Sequence, residues 1–210
     1  MSDYRCTKYC PKLCDVTFKK EKFLEEFQKF HPRTKNHYQY IKERKSNLKL
    51  DFLKIYNYKC VYCGNSINNL NIDHFEIDHF VPKACFTDKN EANNIFNLVA
   101  SCQACNRLKL DYDITDKNKA LFDVEKSLPR IFIRNDDYYI KIHNDYLTNK
   151  EVLSFYNHLH LGYQTKRLDF ILMELHGMIE DDKFIKIRSE LKEVYSSIIS
   201  KRNLISSFSQ

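Results

Sequence analysis

Apolar residues recur at helical spacing from Phe18 to Phe30, where Phe18, Phe23, Leu24, Phe27 and Phe30 are separated by lysines and glutamates. That pattern predicts an amphipathic helix. His31-Pro32 ends it, because the residue before a proline disfavours helical geometry. A second helical pattern runs from about Tyr38 to Tyr56. The texture changes over Cys60 to Asp111, where cysteine pairs and His-Asp clusters stand between Asn-rich loops at 65–71 and 89–94. Long polar loops between short apolar runs predict a compact unit held by more than a hydrophobic core. Within it, Phe75-Glu76-Ile77-Asp78-His79-Phe80-Val81-Pro82 reads as a strand. Alternation puts Phe75, Ile77 and His79 on one face and Glu76, Asp78 and Phe80 on the other, with Pro82 as the terminator. Ile131-Phe132-Ile133 and Tyr138 to Ile142 flank a polar Arg134–Asp137 turn and predict a hairpin. From Asn149 onward the pattern is helical again, in Val152, Phe155, Tyr156 and Leu159, then Leu168 to Leu175, then Phe184 to Ile199, about three helices in all. The fold class expected is α+β and mostly helical.

With 210 residues, 43% hydrophobic and 30% charged, and a mean hydropathy of −0.57, the chain has the profile of a soluble globular protein of one domain with appendages or two small ones. No apolar run approaches the roughly 20 residues that cross a bilayer, and Met1 to Cys10 lacks a signal-peptide core, so the expected location is the cytoplasm, with no membrane partner. Three glycines, Gly64, Gly162 and Gly177, lie too far apart to build a Rossmann fingerprint or a Walker A loop. Between Thr17 and Lys59 there are 12 Lys/Arg against five Asp/Glu, an excess larger than the net charge of +6. The basic surface is thus concentrated just ahead of the cysteine-rich segment.

Cys60-Val-Tyr-Cys63 and Cys102-Gln-Ala-Cys105 are two Cys-x2-Cys pairs. A two-residue gap lets both thiolates of a knuckle reach one Zn(2+), and two knuckles complete a closed tetrahedral structural site. Gly64 suits the tight turn after the first pair. Between the knuckles, the divergence of Asp78 and His79 suits a division of labour in which a carboxylate holds a hard cation while an imidazole takes a proton from water. An amide oxygen from Asn106 could share that cation. Cys85 reads as a small core residue, Cys6, Cys10 and Cys14 as a weak second-metal pattern broken by Pro11, and Asp73-His74 as a structural echo of Asp78-His79. Tyr56, Tyr58 and Tyr62 read as packing for the first knuckle, and His158, His160 and His176 carry no assigned chemistry.

The ordered run Cys-x2-Cys, Ile-Asp-His-Phe-Val-Pro-Lys, Asn-Leu-Val, Cys-x2-Cys-Asn-x2-Lys at Cys60 to Lys109 resembles the HNH endonucleases, whose core is a zinc-stapled ββα-metal motif. The resemblance covers about a quarter of the chain. It implies His79 as general base, Asp78 and Asn106 as holders of one divalent cation, and Asn97 as the residue fixing the loop that carries His79. Asn106 stands where the family name has its last His, and an oxygen-ligand pair favours Mg(2+) or Mn(2+). Lys109, Arg107 and Lys83 are the expected phosphate contacts. The domains expected are a basic helical region over 1–58, the nuclease core over 59–112, and a hairpin with helices over 113–210.

The function these features imply is metal-dependent hydrolysis of DNA, double-stranded by preference. Cutting both strands with one site usually calls for a homodimer. HNH chains with helical flanks also resemble the nuclease components of bacterial antiphage systems, including the Septu type that works with an ATPase, which here would be a separate chain. Restriction and homing roles are consistent with the same chemistry. The alternative is a zinc-knuckle nucleic-acid-binding subunit of a larger complex without cleavage of its own. The joint presence of Asp78, His79, Asn97 and Asn106 argues for catalysis, because binding alone needs no base.

Overall fold

The computed structural model describes residues 3–43, 47–70, 72–110, 112, 114 and 118–208. Residues 44–46 of the second helical pattern, Asn71 of the first Asn-rich loop and Asp111 at the end of the cysteine-rich segment lie outside the described residues. Contacts divide the chain into two compact units, one of Leu13–Tyr62 with Ile72–Leu128, the other of Met1–Lys12, Cys63–Asn71 and Pro129–Gln210.

The first unit opens with α1 (Val16–Phe30), the amphipathic helix anticipated from its apolar spacing. Asp15, at φ 54°, gives it no side-chain cap, and the Val16 N–H instead donates to the Glu125 carboxylate at 3.2 Å. The second pattern yields two helices, α2 (His37–Ile41) and α3 (Leu48–Ile55). Phe27 of α1 packs edge-on to His37 and Tyr40 with centroids 5.4 and 5.6 Å away, and Phe23 meets the fully buried Phe52 of α3 at 5.9 Å. Such aromatic pairs add roughly 0.5–1.5 kcal/mol each beyond the area they bury. After α3, Asn57 and Tyr58 take left-handed φ of 51° and 55°, and the Tyr58 N–H donates to the Leu53 carbonyl. Two non-glycine residues in this region cost about 1–2 kcal/mol apiece. They turn the chain sharply so that Cys60 follows within two residues.

Strand β1 (Phe75–His79) pairs antiparallel with β2 (Leu98–Cys102), with Phe75 opposite Cys102 and His79 opposite Leu98. Strand β1 stops at His79, short of Pro82. The short α4 (Lys89–Ala92) lies between the strands, and α5 (Gln103–Lys109) follows β2 directly and packs on both. Two strands and a helix form the ββα arrangement, with Phe75, Ile77, Leu98 and Ala100 buried.

In the second unit, α6 (Leu128–Ile131) leads into the hairpin of β3 (Phe132–Arg134) and β4 (Ile140–Ile142). Three helices follow as anticipated: α7 (Lys150–His158), α8 (Gln164–Glu180) and α9 (Arg188–Phe208). Phe132 sits at the centre of the core, stacked on Tyr156 at 6.0 Å and edge-on to Tyr4 at 5.6 Å. Helices α8 and α9 pack together, joined by a 2.8 Å ion pair between the buried Asp169 and Arg202. The structure is α+β, dominated by helix with two small antiparallel sheets among the described residues. No helix among the described residues is long and apolar enough to cross a membrane.

Candidate active site

The four paired cysteines converge. Cys60, Cys63, Cys102 and Cys105 are all buried, and their sulfurs lie within 4.8 Å of one another. A tetrahedral Zn(2+) with Zn–S bonds of about 2.3 Å has sulfurs about 3.8 Å apart, so this donor set fits the ion with small adjustments. Cys102 ends β2 and Cys105 lies on α5, so the second knuckle is the strand-to-helix junction of the ββα unit itself. The first is sewn to the same sheet by the Val61 N–H, which donates to the Ala100 carbonyl at 3.0 Å. Gly64, after the first knuckle, has φ +78°, and a Cβ there would stand 2.7 Å from both Cα and Cβ of Arg5. Its lack of a side chain is required twice, by backbone conformation and by the close approach of Arg5. Residues 6–14 are not helical, so Cys6, Cys10 and Cys14 form no stripe, and they join no metal-ligating group among the described residues.

His79 ends β1 half-buried. Its Nε2 lies 2.9 Å from Asn93 Oδ1. With the amide oxygen accepting, Nε2 carries the proton and Nδ1 keeps its lone pair. Burial pushes the His79 pKa down to about 4, aided by the Lys83 and Lys109 charges and opposed by the Asn93 bond. The imidazole is therefore neutral at pH 7 and able to accept a proton.

Asn97 braces the turn that leaves His79. Its Oδ1 accepts from the Val81 N–H at 2.9 Å, its Nδ2 donates to the carbonyls of Val81 and Ala92, and its own carbonyl takes the Phe80 N–H at 2.8 Å. Four bonds from one buried residue fix the segment from Phe80 to Ala92 against β2.

Asp78 and Asn106 have different immediate partners. Asp78 is buried, accepts from the Tyr62 hydroxyl at 2.6 Å, and pairs with the Lys109 ammonium at 3.2 Å. Burial raises its pKa, while Lys109 and Tyr62 act against that shift. Lys109, the first choice for a phosphate contact on sequence grounds, has no exposed surface, and its ammonium also donates to the His79 carbonyl at 2.7 Å. Its placement ties α5 to the end of β1, while Arg107 and Lys83 are exposed. Asn106 donates instead to Glu76, which Gln103 also approaches at 3.4 Å. Glu76, Gln103 and Asn106 line a polar cleft of about 310 Å³ together with Tyr38, Lys42 and Lys49.

Three of these residues escaped the sequence reading. Glu76 carried a signal, since it shares a strand face with Asp78. Asn93 and Tyr38 did not, because their roles depend on contacts distant in sequence. His74 lies in a 3-10 turn ahead of β1, with its Nδ1 3.5 Å from Gln103 Oε1.

Residues 60–111 match the family model described as HNH endonuclease. This quarter of the chain is HNH-like. The HNH-like segment begins at the first knuckle and takes in the sheet, both Asn97 and Asn106, and α5. A curated relative, the Septu protein PtuB of Bacillus thuringiensis, is 31% identical over 97 residues, which are 46% of this chain and 36% of that protein. The chain thus matches little more than a third of that relative's length. No solved structure matches it.

Proposed function

We propose that this protein is a metal-dependent HNH endonuclease that hydrolyses phosphodiester bonds of DNA. The observation that carries the reading is the half-buried His79, with Nε2 2.9 Å from Asn93 Oδ1, at the end of β1 in a ββα unit whose loop is braced by Asn97 and whose helix carries Asn106. The family match over 60–111 supports the same chemistry.

His79 Nδ1 takes a proton from a water, whose oxygen attacks phosphorus as the bond to the leaving O3′ breaks; the leaving oxygen is protonated from solvent. The products are a 5′-phosphate and a 3′-hydroxyl. Asp78 and Asn106 are the proposed holders of a Mg(2+) or Mn(2+) ion, with Glu76 as a further oxygen donor beside Asn106. When bound, such an ion offsets the charge that builds on the phosphate and the departing oxygen. For Asp78 to serve, its carboxylate must exchange Lys109 for the cation, and Lys109 retains the His79 carbonyl as an acceptor. Asn97 holds the loop geometry, Lys83 and Arg107 meet the backbone, and the four thiolates hold Zn(2+) as a structural ion.

The likeness to a Septu protein supports a role as the nuclease subunit of an antiphage complex, with an ATPase on another chain and a homodimer for double-strand cutting. A supercoiled-plasmid assay with Mg(2+) tests the chemistry. Wild type should nick or linearise, and His79→Ala should lose about 10²–10⁴-fold in rate with zinc content and fold unchanged. Normal cutting by the His79 variant would remove the proposed base.

A further inference from the structure

Helix α2 lies outside the HNH-like segment, yet it is built into the same site. The Tyr38 N–H donates to the Asn93 carbonyl at 3.3 Å, and His37 Nδ1 accepts the Ile95 N–H at 3.1 Å. Asn93 is the residue that holds His79 Nε2. The Tyr38 ring lies 4.4 Å from the His79 ring, so α2 packs directly against the imidazole.

Two ammonium groups share this one tyrosine. Lys83 Nζ stands 4.5 Å and Lys42 Nζ 5.1 Å from the Tyr38 ring centroid. Cation–π attraction of about 0.5–1 kcal/mol or somewhat more at a half-buried ring draws each toward it, against the repulsion between them. Burial lowers the Lys83 pKa, and so do the Lys42 and Lys89 charges. Neither Lys42 nor Lys83 makes an ion pair among the described residues. Burial raises the Tyr38 pKa, with Glu76 and Asp78 adding to the shift, and its hydroxyl has a proton to donate to a phosphate oxygen. Two exposed cations and a hydroxyl donor, fixed on one ring beside a neutral imidazole, suit a ligand that brings negative charge to that ring.

We propose that Tyr38 and Lys42 of α2, with Lys83, form a subsite for a backbone phosphate of the nucleic acid, next to the phosphate attacked at His79. The subsite rests on the nuclease reading above. It assigns the N-terminal flank a direct hold on substrate, with Tyr38 also positioning His79.

The test is fluorescence anisotropy of the full, zinc-bound chain with a short fluorescein-labelled DNA duplex, without added Mg(2+), over NaCl from about 50 to 200 mM. Lys42→Ala should weaken binding several-fold and lower the slope of log K against log[NaCl] by about 0.9, the worth of one phosphate contact, and Lys42→Arg should restore it. Tyr38→Phe should keep the wild-type slope, whereas Tyr38→Leu should lose as much as Lys42→Ala and also slow plasmid cleavage at saturating DNA. Lys186→Ala, on the other unit, serves as the control for nonspecific charge loss. If wild type binds and cuts but Lys42→Ala keeps the full slope, the subsite is overturned and the nuclease reading stands. If Tyr38→Leu matches Tyr38→Phe, the tyrosine has no part in it. If wild type neither binds nor cuts DNA, both readings fall together.

Discussion

A histidine with an ordinary pKa near 6.5 is about half charged at that pH and loses its value as a base below it. His79 is held at about 4 because burial strips water from the imidazolium and two lysine charges face it. The base form thus persists as pH falls from 7 through 6, and protonation removes it only near pH 4. Cleavage at pH 5.5 should therefore stay within about twofold of that at pH 7, where an unperturbed histidine would impose nearly a tenfold drop. A single-turnover profile checks this, and a tenfold fall by pH 5.5 would show that His79 titrates normally. At this scale the sequence was informative wherever chemistry is local. The Asp-His dipeptide, the alternation of Glu76 and Asp78 and the four cysteines could all be located before any coordinate was known. What could not be located were the partners: Tyr62 and Lys109 on Asp78, or Asn93 on His79, each 14 to 31 positions away. Chain reversals decide such contacts, and no periodicity encodes them.

Elements whose apolar face is decided within their own length were legible: α1, the β3–β4 hairpin and the three helices α7, α8 and α9. The helical pattern over Tyr38 to Tyr56 divides into two helices with separate anchors, α2 held by Asn93 and Ile95 in a distant loop and α3 by Phe23 of α1. Tertiary bonds overrode a continuous helical period. The knuckle turn is the opposite case, since Gly64 was recognisable from its place after Cys63 and takes φ +78°. Gly64→Ala must carry a side chain in the left-handed region, at about 1–2 kcal/mol, and must also displace the Arg5 backbone 2.7 Å away. Arg5 cannot yield cheaply, because it is fully buried in an ion pair with Asp3 at 2.9 Å. The expected result is a loss exceeding 2 kcal/mol in thermal or urea unfolding, with weakened zinc retention. A Gly64→Ala protein as stable as wild type would mean that the turn relaxes freely.

The two metal sites differ in kind, and that difference divides the whole protein's behaviour. The four buried cysteines are a donor set that fits Zn(2+) and joins β2, α5 and the first knuckle, so the binding energy of an ion held there would be folding energy. Glu76 and Asn106 line the polar cleft while Asp78, close to Glu76 in sequence, is buried, and the oxygens of all three, the proposed catalytic donors, are of the kind that suits a hard, exchangeable ion. The excess of Lys and Arg over 17–59 belongs to the unit that holds this cleft, a charge balance that would favour the polyanionic substrate proposed above. Removing each metal should therefore do different things. A brief exposure to EDTA should stop cleavage with no change in circular dichroism, and excess Mg(2+) should restore it. Stripping the thiolate site with a mercurial should instead lower the melting temperature and the helix signal, and Mg(2+) alone should restore neither activity nor fold, whereas thiol reductant with Zn(2+) should. Cys102→Ser should reproduce the second behaviour, whereas His79→Ala should lose cleavage with the fold intact and without rescue by excess Mg(2+). If the mercurial releases zinc while the melting temperature holds, the thiolate cluster is not what staples the ββα unit, and the stability of the site would have to come from the Asn97 bracing and the buried strand pair instead.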